Sequence, residues 1–153
     1  MKPKTILMSV AVLFAAAMCL AADANMGTWK LNEAKSKIPA GATKNHTVVY
    51  ETAGDMVKIT VDGVDAEGKA VHNEWTGNWD GKDYAVTGDP NSDMRSYKQA
   101  GTGALTFKGT KAGKVTVTGR VVVSADGKTR TVTTTSTDSK GKKTHATGVY
   151  DKQ

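Results

Sequence analysis

The residues with the broadest chemistry in this chain are His46, His72 and His145, and they lie far apart with no pair at metal-ligand spacing. A metal centre needs convergent ligands held by a second layer of hydrogen bonds. The one cysteine, Cys19, falls in an apolar stretch near the start. Neither a metal nor a cofactor is therefore expected. Ser36, Ser92, Ser96, Ser124, Ser136 and Ser139 sit in turns or thread through strands, and none stands in a Gly-x-Ser-x-Gly elbow. Asp80 and Asp126 each precede a glycine, where aspartate serves the backbone of a turn. No glycine-rich loop opens a helix to cradle phosphate. The expectation is a protein that is not an enzyme and has no catalytic residues.

The aromatic and arginine positions say more. Trp75 and Trp79 fall on one face of an extended segment with Gly77 between them, and His72, Glu74, Thr76 and Asn78 fall on the other. Two tryptophans facing inward either fill a core or line a cavity. Filling is the plainer reading in a small barrel. Arg95 and Tyr97 share a direction, a cation beside a hydroxyl, although Met94 and Ser96 compete for the inside. Arg130 shares a face with Val132. An inward arginine needs a carboxylate, an aromatic face or an acidic ligand, so surface placement is the plainer expectation for both.

The elements that must position these residues are strands. Glycine turns recur at Ala53-Gly54-Asp55, Glu67-Gly68-Lys69, Asp80-Gly81-Lys82, Ala112-Gly113-Lys114, Asp126-Gly127-Lys128 and Lys140-Gly141-Lys142. Between them run alternating segments rich in valine and threonine: Val57, Ile59 and Val61 oppose Lys58, Thr60 and Asp62. Ten strands are expected near 27–31, 44–52, 56–62, 69–79, 82–87, 93–99, 104–108, 114–123, 129–136 and 144–151. One helical turn fits Asn32 to Lys35 before Pro39 and Gly41. Ten antiparallel strands joined by short turns leave two open edges unless the sheet closes. The expected fold is all-β, a single antiparallel up-and-down meander barrel of about 8–10 strands, with a two-sheet sandwich as the alternative.

The first residues read as a cleaved signal peptide. Lys2 and Lys4 are basic, Thr5 to Leu20 is apolar, and Ala22-Asp23-Ala24 offers a small-x-small cut. The expected domains are a leader over 1–24 and a barrel over 25–153. An uncleaved anchor and a lipoprotein at Cys19 are the alternatives, the latter weakened by Met18 before the cysteine. Without residues 1–24 the 21 basic and 15 acidic residues become 19 and 14, interspersed along the chain. A nucleic-acid surface needs a concentrated stripe, so no nucleic-acid partner is expected. Nor is a stable membrane span after cleavage. The expected compartment is periplasmic or extracellular, and the expected state a monomer.

Gly27-Thr28-Trp29-Lys30-Leu31 resembles the Gly-x-Trp opening of the calycins, the superfamily of lipocalins and fatty-acid-binding proteins. Gly148-Val149-Tyr150-Asp151-Lys152 resembles the closing strand of the latter. The whole chain is also similar to small exported bacterial proteins of unassigned role, through the turns around Tyr84-Ala85-Val86-Thr87-Gly88 and Asp126-Gly127-Lys128-Thr129. The resemblance implies a barrel, and a structural role for Trp29 as a plug at one end. The family's carboxylate-binding arginine would fall at Gly148, and the first connection is too short for the family's helical lid. The interior also reads as threonine-rich, which suits a smaller or more polar cavity.

The leading expectation is an exported, non-catalytic protein that holds a small apolar or amphipathic ligand inside the barrel, with Trp75, Trp79, Arg95 and Tyr97 as ligand-binding residues. The alternative is a solid-core envelope or extracellular protein, structural or inhibitory, that works through its outer surface.

Overall fold

A computed structural model describes residues 23–153, so most of the expected leader lies outside the described residues. Valine and threonine alternating at period two give half-buried strands, and the chain forms ten: β1 Gly27–Leu31, β2 Lys44–Ala53, β3 Met56–Val64, β4 Ala70–Gly77, β5 Tyr84–Thr87, β6 Met94–Gln99, β7 Ala104–Lys111, β8 Lys114–Val123, β9 Thr129–Thr137 and β10 Lys143–Lys152. A single 3-10 turn, Glu33–Lys35, is capped by the Asn32 side chain. Each strand pairs antiparallel with the next, and β1 closes the ring on β10 through Trp29↔Lys152, Lys30↔Asp151 and Leu31↔Tyr150. The sheet is one closed up-and-down barrel, and closure leaves no free edge to template pairing with another chain.

The pairing is weakest at β5, which holds only two paired positions on either side. The strand expected over 69–79 stops at Gly77 for this reason. Beyond it the chain crosses to β6: Asp80 bridges Lys98, and the Gly81 amide donates to the Tyr97 carbonyl at 2.8 Å. Trp79 thus lies outside the strand, yet its ring stacks on Trp75.

The inner face is aromatic and aliphatic rather than threonine-rich. Trp29, Tyr50, Ile59, Trp75, Tyr97, Leu105, Val121 and Tyr150 are buried in one cluster, while Thr131 and Thr133 point to solvent. Three glycines make room for the rings. A side chain at Gly77 would strike the Trp75 and Tyr84 rings, one at Gly119 the Phe107 ring, and one at Gly148 the Tyr150 ring. The position opened at Gly77 is thus filled by aromatic carbon and does not leave a gap between the tryptophans. The outer face is polar, with Lys58 bridging Glu74 at 2.9 Å and His72 meeting Asp62 at 2.6 Å.

The two ends of the barrel differ. Below, at the end of the chain termini, residues 23–26 fold across the opening, with Ala24 and Met26 packed on the core. Above, the inward-facing Leu31, Phe107, Val117, Val132, Thr134 and Ala146 remain half-buried, so β1 and β7 to β10 frame a mouth.

Candidate functional site

The four residues singled out by sequence do meet inside the barrel. Trp75 and Trp79 stack with ring centres 5.8 Å apart and an angle of 6° between planes. The Tyr97 ring stands edge-on to both, at 4.8 and 5.4 Å. The Trp75 indole donates to the Arg95 carbonyl at 2.9 Å. These rings pack mainly on one another and on Tyr84 and Phe107, so they fill the middle of the barrel.

Both arginines point inward, against the expectation of surface placement. Arg95 faces inside because Tyr84 opposite it and Tyr97 two residues on are both interior positions. Its charge is compensated: Nη2 meets the Asp89 carboxylate at 2.7 Å, and Nη1 meets Asn73 Oδ1 at 3.5 Å. Asp89 comes from the connection between β5 and β6, which folds over the upper end to reach it. Arg95 is thus already engaged, and a ligand would have to displace a carboxylate to use it.

Arg130 is different. It is 2 % exposed. Its guanidinium carbon stands 5.0 Å from the centre of the Trp29 ring, 4.8 Å from Tyr50 and 4.9 Å from Tyr150. Rings attract a cation through their electron-rich faces. Yet Nε and Nη1 find no hydrogen-bond partner among the described residues, and none of the ion pairs there involves Arg130. A buried charge without a counter-charge is costly. Sequence reasoning named Arg130 and left its face open. The register Tyr150↔Arg130 could have decided it, since Tyr150 shares a face with Gly148 and that face is the inner one.

Burial sets the protonation of the tyrosines. The Tyr97 hydroxyl is pushed up to about 12, against the pull of Arg95. Burial likewise pushes Tyr150 up to about 12, against the pull of Arg130. Both are neutral hydrogen-bonding groups at ordinary pH.

Trp29 is fully buried, and its indole donates to the Asn25 carbonyl at 2.8 Å. Lys152 lies over the other part of the ring at 5.2 Å. The three histidines are exposed on the outer wall. Among the described residues no group of three or more His, Cys, Asp or Glu is placed to hold a metal ion. Two open depressions of about 500 Å³ lie on the outer surface. One is framed by Asp65, Lys69, His72 and Pro90, the other by Thr106, Arg120, Thr133 and His145.

The fold and its interior define a closed ten-stranded barrel with an uncompensated cation at its core. No protein-family model matches the chain, and no significant match is found among curated proteins.

Proposed function

We propose that this is an exported, non-catalytic carrier, a calycin-like barrel that holds one small amphipathic acid with its anionic group against Arg130. The observation that carries the reading is the buried guanidinium with two unsatisfied nitrogens. Opposite charge and a new hydrogen bond are what such a group lacks. An apolar tail would lie along the half-buried Phe107, Val132 and Ala146, and Val132 stands two residues above Arg130 on β9. Three rings surround the guanidinium carbon at 4.8–5.0 Å, and a ring offers its π face but no lone pair to the N–H groups. The acidic class narrows the apolar or amphipathic ligand expected from sequence, and it moves the polar anchor from Arg95 to Arg130. The polar outer wall suits a monomer in the periplasm or outside the cell better than a barrel in lipid.

The test is a titration with straight-chain and aromatic carboxylic acids, each beside its alcohol, read by tryptophan emission. Trp29 lies 5.0 Å from the guanidinium and reports directly. Acids are expected to bind and alcohols not, and Arg130→Met is expected to weaken the acid at least about tenfold, the minimum for a lost charged hydrogen bond. A second reading rests on the ring cluster that fills the barrel's middle: a solid core working through its outer surface. It takes over if neither acids nor alcohols bind, whereas equal binding of the two would remove Arg130 as the anchor.

A further inference from the structure

We infer that the chain is cut between Ala22 and Asp23, and that Asp23 and Ala24 stay on the mature protein as the stopper of the barrel's lower end. The inference rests on the export reading and moves its boundary by two residues. On consensus alone Ala22-x-Ala24 directs the cut to the bond before Asn25. Ala22 also supplies a small residue that a cut can follow, although the residue two before it is Leu20. The folded geometry separates the two bonds.

Asp23 is built into the closed end. One carboxylate oxygen accepts from the Asn25 amide at 2.9 Å and from the Asn25 side-chain amide at 3.0 Å. The other accepts from the Trp79 indole at 2.7 Å. The Asp23 carbonyl accepts from the Met26 amide at 3.0 Å. Ala24 packs on the core, with its Cβ beside Gly103 in the turn between β6 and β7. Asn25 has no exposed surface at all.

Cutting before Asn25 would place a new ammonium on the nitrogen that now donates to the Asp23 carboxylate. It would also remove the carboxylate that could pair with that ammonium and leave the Trp79 indole without its acceptor. Cutting before Asp23 places the new ammonium on a half-buried residue with access to solvent, and every contact of the stopper survives. Of the two products, only the longer keeps the Asp23 and Ala24 contacts at the lower end.

Intact mass of the protein recovered from cells making the full chain decides the bond. A species running from Asp23 to Gln153 is expected. A species beginning at Asn25 overturns the inference and leaves export standing, whereas a chain that keeps Met1 overturns both. The stopper role has its own readout. Asp23→Ala in the full chain is expected to lower the melting temperature by several degrees and to shift Trp79 emission. In a Trp79→Phe background, which lacks the indole donor, Asp23→Ala is expected to lower it by less. Equal losses in the two backgrounds, or no loss in either, would refute the role of Asp23.

Discussion

Replacing Arg130 by methionine keeps an unbranched stem that reaches the position of Nε and removes the charged group beyond it. In most buried ion pairs, losing one partner is severe because the other charge is stranded. Among the described residues Arg130 has no partner charge to strand. Two donor nitrogens held away from water without acceptors disfavour the fold by about 1–3 kcal/mol each, or about 4 kcal/mol together. Three rings at 4.8–5.0 Å from the guanidinium return about 1–2 kcal/mol each when desolvated, which again comes to about 4 kcal/mol. The two terms offset, and removing the charge also removes the expense of taking it out of water. Arg130→Met is therefore expected to leave the ligand-free protein as stable as the parent or more so. Arg130→Ala, which opens a hole beneath Trp29, is expected to lose about 2–5 kcal/mol. Urea unfolding followed by tryptophan emission measures both. If the methionine variant's midpoint falls by about 1 M or more at unchanged slope, a loss of about 1–3 kcal/mol, the guanidinium is a structural keystone and the argument for an unmet anion fails.

The upper arginine behaves in the opposite way: Asp89→Ala strands a buried Arg95 and is expected to lose about 3 kcal/mol, most of it restored by adding Arg95→Met, which denaturant midpoints of the two variants check. Tyr97 and Tyr150 rise to about 12 on folding from about 10 in the unfolded chain. Their contribution, about 2–3 kcal/mol each, is complete below pH 10 and is lost as pH climbs toward 12; phenolate absorbance should show these two ionising only as the fold is lost, and early ionisation of either in a folded protein would contradict their burial. Gly77→Ala places a methyl 2.5 Å from the Trp75 ring and 2.6 Å from the Tyr84 ring. It is expected to lose about 1–3 kcal/mol together with the near-ultraviolet dichroism of the stacked pair, and an unchanged spectrum would mean the stack is loose.

The barrel was legible because its signals are local. Period-two valines and glycine turns placed all ten strands, since each hairpin is specified by its own residues. The interior was legible only in part. Arg95, Ser96 and Tyr97 are all buried, so alternation gives no face there. On β9 threonine occupies both faces, inward at Thr134 and outward at Thr131 and Thr133. A residue equally at home in either place cannot reveal where Arg130 points. Tyr50 joins the cage from more than seventy residues away, a proximity fixed by ring closure and by no local pattern. The hydrogen bond from the Trp79 indole to Asp23 was not legible either, because it joins residues 56 positions apart and the pattern around Asp23 speaks only of cutting.

The seam between β1 and β10 differs from every other junction in the wall. Nine strand pairs are hairpins whose members follow each other along the chain, and their short loops close within microseconds. The seam joins residues about 120 positions apart and holds three paired positions, with Gln153 adding one bond back to Thr28 at 3.0 Å. It must await delivery of the last strand, and contacts of such long range slow folding. Until Lys152 arrives, the nascent sheet has two raw edges, and the cage around Arg130 lacks the Tyr150 wall. The interior is therefore complete only once the seam has formed, and a copy lacking β10 is left as an open ribbon with edges prone to pair with its neighbours.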